Sequence, residues 1–160
     1  MLAQYLSAYS DVVAEIEKST GKKPDPSKEL ETQVLLSLFE KVVGCPDENG
    51  LDFIAELMSG LIIGQALPNA NHRTAIYWVS GILDNVGFKV NLIENAGLIR
   101  EYFLDSKHLL KKARKGYESQ HLMLTKRTVI ALLGKDQSGK LGRMVAYSFI
   151  TALSDLAIDL

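Results

Sequence analysis

Gln65-Ala66-Leu67-Pro68-Asn69-Ala70-Asn71-His72-Arg73-Thr74 is the stretch on which the reading of this chain turns. Pro68 cannot continue a helix, because it has no N–H and its ring collides with the turn before it. It also pushes Leu67 out of the helical region. Before the stretch, Leu51, Ile54, Leu57, Met58, Leu61 and Ile62 keep helical spacing. After it, Ala75, Ile76, Trp78, Val79, Ile82, Leu83 and Val86 do the same. The pattern predicts a short loop between a helix from Leu51 to about Gln65 and another that starts near Asn71.

Such a loop delivers Asn69 to Thr74 to a helix N-terminus. The first backbone N–H groups there have no partner and the helix dipole is positive. That makes an anion site. Arg73 adds a planar cation suited to phosphate oxygens. Ala70 is small enough to let a ligand approach the backbone. Asn71 can cap the helix, hold the loop or donate to a phosphate. An Asn ahead of a helix is also a plain capping device, and that alternative stays open.

Outward from the loop the chain reads as all-α, with six to seven helices and at most a short extended segment or β-hairpin. A first helix covers residues 2–18 and is broken at Gly21-Lys22-Lys23-Pro24. Asp25 as N-cap with Pro26 at the first helical position predicts a second helix reaching about Val43. Its apolar face is Leu30, Val34, Leu35, Leu38, Phe39, Val42 and Val43. Residues 44–50 form a loop. Gly87 fits the left-handed position after the fourth helix, with Phe88 making the apolar contact that follows. Phe88-Lys89-Val90 alternates and is the candidate extended segment. A fifth helix is expected from Glu94 to about Lys115, its basic end suiting the negative pole of the dipole. Helices near 118–133 and 141–158 follow, joined by a glycine-containing loop, with Val129–Leu133 also readable as a buried strand.

The 160 residues give one domain, 1–160, large enough to bury a core. With 47% hydrophobic and 23% charged residues the composition is that of an ordinary globular protein. A net charge of −1 supplies no long-range field toward nucleic acid or an anionic membrane. Any nucleotide must therefore be held locally. Cys45 is the only cysteine, so no internal disulfide forms and a reducing cytoplasm is expected. The apolar run Leu57–Leu67 is too short for a bilayer, and the N-terminus lacks the pattern of a secretory signal.

The 65–74 stretch resembles the Fic/Doc (death-on-curing) family, whose core motif is His-x-Phe-x-(Asp/Glu)-(Gly/Ala)-Asn-(Gly/Lys)-Arg. Ala70, Asn71 and Arg73 match it, Leu67 stands for the Phe, and Thr74-Ala75 continues as in Doc-like members. A glycine-containing helix precedes the motif, and Asn85-Val86-Gly87-Phe88 closes the helix after it. The resemblance covers roughly residues 10–105, with 106–160 as a helical extension. It implies a phosphate-binding loop at Asn69, Ala70, Asn71, His72, Arg73 and Thr74. The ligand would be ATP or another nucleotide, the chemistry transfer of a nucleotidyl or phosphoryl group to a protein hydroxyl, and the partners a target protein and an antitoxin-like restraint.

Two departures fall on the residues that perform the chemistry. Gln65 occupies the place of the family's catalytic His. An amide cannot act as a general base, a loss worth about a hundred- to ten-thousand-fold in rate. Asn69 replaces the acidic metal-holding residue, and a neutral carbonyl is a weak substitute where magnesium wants a carboxylate. His72 stands where nucleotidylating members have Gly and the kinase-like Doc has Lys. It is the one titratable group in the loop and a candidate substitute base, or a partly exposed residue without a role. Asp52, Glu56 and Asp84 lie too far along their helices. The self-inhibiting Ser/Thr-x-x-x-Glu-(Gly/Asn) motif is missing, since Glu48-Asn49 has Gly44 four residues earlier.

The expectation is a degenerate Fic/Doc-like protein that acts by binding or regulation. An active transferase using His72, and a helical interaction domain without a ligand, remain as rivals, and a homo-oligomer is open. Gly134 to Leu141 has a P-loop skeleton, but Leu141 sits where a magnesium-binding Ser or Thr belongs. His108 and His121 lack co-ligands at zinc spacing. Trp78 lies on the core stripe of its helix.

Overall fold

A computed structural model of the chain describes residues 1–44 and 48–151, so Cys45 and the end of the expected 141–158 helix, from residue 152 on, lie outside the described residues. The architecture is all-α: α1 (Leu2–Thr20), α2 (Thr32–Val43), α3 (Gly50–Gly64), α4 (Asn71–Asn85), α5 (Ala96–Lys112) and α6 (Tyr117–Arg143), with helical backbone again at 147–151. Among the described residues no strand forms; Asn49 and Val145 make an isolated antiparallel bridge. Residues 88–90 pair with no strand, although Gln137 on α6 meets the backbone of Lys89 on both sides.

The helix α3 is apolar nearly all round, and this places it at the centre. Phe53, Ile54, Leu57, Met58, Leu61 and Ile62 are all buried. It packs against α2, α4 and α6, while α1 lies on α4 and α5 on α6. Its N-terminus is capped by Asn49, whose Oδ1 accepts the Asp52 N–H at 2.9 Å. Gly50 is required there: a Cβ would come within 2.6 Å of the Phe149 ring and 2.8 Å of the Leu141 carbonyl. That closeness lets Gly50 N–H reach Met144 C=O at 2.7 Å and seats Phe149 on Phe53. Where α1, α2 and α4 meet, Tyr5, Phe39 and Trp78 form an aromatic trio with centroids 5.2–6.2 Å apart.

Gly87 takes the left-handed conformation after α4 (φ 92°), Phe88 N–H reaches back to Leu83 C=O, and the Phe88 ring is buried. Two local expectations are corrected. The second helix starts at Thr32, not at Asp25-Pro26, and Leu30 and Val34 are each 39% exposed. Residues 24–31 instead wrap over the 65–69 loop, with Ser27 N–H and hydroxyl both on Pro68 C=O and Glu31 N–H on Ala66 C=O. Long-range backbone bonds outcompete the local capping signal. Likewise the chain runs helical past residue 133 to Arg143, with a one-residue kink at Gly134 (φ 80°, ψ 167°). Val129–Leu133 is helix, and the P-loop skeleton lies on that helix and its kink.

Candidate functional site

Gln65 and Ala70 frame the loop, and both take left-handed backbone (φ 46° and 54°). Such a conformation is costly for a residue with a Cβ and persists where surrounding bonds impose it. Those bonds are on the side chains of the loop. Asn71 closes on one residue from both sides: Leu67 N–H donates to its Oδ1 at 3.0 Å, and its Nδ2 donates to Leu67 C=O at 3.1 Å. Gln65 turns back on its own helix, Nε2 donating to Ile62 C=O at 2.6 Å. Asn69 accepts from the Tyr9 hydroxyl at 2.9 Å and donates to the Pro24 and Asp25 carbonyls at 3.2 Å. The three amides therefore hold the turn and the wrapping segment.

The backbone beyond them is open. The Thr74 N–H is the first on α4 to be taken, by Ala70 C=O at 2.9 Å. Among the described residues no protein acceptor meets the N–H groups of Asn71, His72 or Arg73. Asn71, His72 and Arg73 line a cavity of about 700 Å³ whose wall also includes Gln65, Asn69, Lys107 and Lys111 and, among the described residues, no Asp or Glu. Arg73 is exposed and has no ion pair among the described residues. Lys107 and Lys111, one turn apart on α5, reach the same cavity. In the sequence Lys111 reads only as part of a basic helix end suited to the dipole, and Lys107 lies outside that run. Only the packing of α5 brings these two beside the loop. A more apolar hollow of about 540 Å³, with Ile76, Tyr77 and Ile99 in its wall, shares Ile16, Arg73 and Phe103 with the first. The Thr74 side chain is fully buried and its hydroxyl has no partner.

His72 departs from the expectation of a partly exposed residue. It is buried against Phe103, with 9% exposure. Its Nε2 lies 2.8 Å from Ser106 Oγ, which lies 2.7 Å from His121 Nε2. His121 Nδ1 is 2.7 Å from Ser59 Oγ. Beside this relay, Tyr102 meets Thr125 at 2.7 Å, and Thr125 donates to His121 C=O. Burial lowers both imidazoles to about 4; for His72 the nearby Lys107 and His121 add to the effect. Both rings are neutral at physiological pH.

Residues 1–132, which carry this whole arrangement, match the family described as Family of unknown function (DUF8172). The chain belongs to DUF8172. No curated protein and no solved structure matches it.

For this DUF8172 chain the fit to magnesium is poor. Among the described residues the cavity wall offers no carboxylate, and the Asn69 carbonyl already accepts from Tyr9. Among the described residues no three His, Cys, Asp or Glu side chains come together as a metal site. No described helix is long and apolar enough to cross a membrane. Phosphate fits better: open N–H groups, Arg73 and the two lysines present only donors and positive charge.

Proposed function

We propose that this protein is a degenerate Fic/Doc-like domain whose 69–74 loop holds the phosphates of a nucleotide or another phosphate ligand, and that it acts by binding or regulation. The observation that carries the reading is the row of unengaged N–H groups at Asn71, His72 and Arg73, on residues that line a cavity with Lys107 and Lys111 and, among the described residues, no acidic side chain. The adjoining hollow beside Tyr77 has room for a nucleoside. Transfer chemistry has little support. Gln65 does not titrate and its amide is held by Ile62 C=O. His72 at about 4 is a weak base at neutral pH.

The rival with an observation of its own is a helical domain without a ligand, since Asn69 and Asn71 both serve the fold. Calorimetric titration with ATP, with and without magnesium, separates the two. Binding heat that survives chelation of magnesium and is weakened in Arg73→Ala is expected. A hydrogen bond to a charged group is worth about 1.5–3 kcal/mol, so Arg73→Ala should weaken binding roughly tenfold or more. No heat at millimolar ATP would leave the ligand-free reading standing. Labelling of a protein in lysate by labelled ATP would restore the transferase.

A further inference from the structure

Ser59 lies in the middle of α3, 3% exposed, and its hydroxyl has one partner, His121 Nδ1. Other helical hydroxyls, at Ser80, Thr125 and Thr128, donate to the carbonyl one turn back. Ser59 makes no such bond among the described residues. A buried hydroxyl favours the acceptor within its reach, and the one beside Ser59 is His121 Nδ1, so Ser59 donates to it. That nitrogen is then unprotonated, and a neutral imidazole carries its hydrogen on the other one. His121 Nε2–H donates to Ser106 Oγ. The Ser106 proton in turn goes to the partner left to it, His72 Nε2. The opposite direction would leave the Ser59 proton without an acceptor. Thr125 does not upset the order, because its own proton is on His121 C=O and its oxygen stands 3.4 Å from Nδ1.

The last imidazole inherits this polarity. His72 accepts at Nε2 and so bears its hydrogen on Nδ1. Among the described residues no protein group is hydrogen-bonded to that nitrogen. The ring belongs to a residue that lines the same cavity as Asn71 and Arg73.

We propose that the relay Ser59–His121–Ser106–His72 fixes the proton of His72 on Nδ1, so that a neutral imidazole offers a hydrogen-bond donor to a phosphate oxygen in that cavity. The proposal deepens the phosphate-binding reading and rests on it. It makes His72 a ligand-binding donor, and Ser59, Ser106 and His121 positioning residues acting through it. Arg73, Lys107, Lys111 and His72, with the free backbone N–H groups, are then all donors to an anion at this wall.

The test begins with the unaltered protein. Nitrogen-15 spectra of labelled histidines at pH 7 should show His72 protonated at Nδ1 and His121 at Nε2. His72 protonated at Nε2 overturns the proposal, with or without a ligand. Inorganic pyrophosphate, added in chelator, should then shift the His72 Nδ1 resonance. Two substitutions follow. His72→Asn places an amide donor near the Nδ1 position and should keep pyrophosphate affinity within about threefold, whereas His72→Phe should lose about tenfold or more. Equal binding by His72→Phe overturns the proposal. Ser59→Ala, checked for native helicity, should leave His72 a mixture of tautomers and weaken pyrophosphate severalfold; an unchanged tautomer would remove Ser59 from its positioning role. If the parent does not respond to pyrophosphate at all, the phosphate reading fails together with the donor role, while the tautomer result separately decides whether the relay sets the ring.

Discussion

Two parts of the interior are built from different physics. Where α1, α2 and α4 meet, Tyr5, Phe39 and Trp78 pack edge to face and tilted. Where α3, α4, α5 and α6 meet, the contact is a string of hydroxyls and imidazoles from Ser59 to His72. The first region gains from burial and dispersion, which hold helices together with little regard to direction. The second is directional: each donor needs one acceptor, so helix placement and proton placement are fixed together. The aromatic side supplies adhesion, and the polar side ties the loop beside Arg73 to helices distant in sequence.

Substitutions should separate the two. The largest effect is expected from Trp78→Ala, at about 3–5 kcal/mol of lost stability, the usual range for emptying a large core site. Urea unfolding measures it, and the histidine nitrogen signals should stay where they are. A moved His72 signal would show that the two regions are not independent. Ser106→Ala should cost less, about 1–3 kcal/mol, because it strands the His121 N–H without an acceptor. Here the histidine signals should change. A variant as stable as the parent with unchanged signals would mean that the relay holds nothing.

A smaller effect comes with pH, and it has two opposed parts. Both buried histidines have folded values of about 4 against an ordinary 6.5, so the unfolded chain takes up protons first as pH falls. Stability fully present above about 6.5 is therefore lost progressively toward 4. Glu48 works the other way. Burial, then the Glu56 and Asp52 carboxylates, raise it from 4.5 to about 7 despite Lys126 nearby. Protonation of Glu48 adds stability as pH falls from 7 to 4.5. In Glu48→Gln only the histidine part remains, so thermal midpoints should fall more steeply between pH 6.5 and 4.5 than in the parent. An equal slope would place the titration elsewhere. The smallest effect is expected at Ala70. Glycine relieves its left-handed backbone but loosens the unfolded chain, so Ala70→Gly should raise stability by no more than about 1 kcal/mol.

How much of this was legible in the sequence follows the range of the forces involved. The helices flanking the loop, the Gly87 stop and the core position of Trp78 are recorded in helical spacing and in a conformation that glycine favours. The loop was legible through Pro68 and the Asn71-x-Arg73 pattern. The start of α2 was not, because Asp25-Pro26 is a sound local signal overridden by bonds to Ala66, Pro68 and Asn69, some forty residues away. The relay was hidden for the same reason: Ser59 and His121 are 62 residues apart and His72 and Ser106 are 34 apart. Its faint trace was a hydroxyl, Ser59, in the apolar second half of α3, and the His121-x-x-x-Thr125 pair that one helical turn brings to one face.

The Asn71 side chain grips Leu67 by N–H and carbonyl alike, and this clasp needs no guest to close it. An anion arriving at the turn would meet a shape already set and would forfeit little to ordering it. Tuning of such a pocket, by evolution or by mutation, would then show chiefly in how long the anion stays.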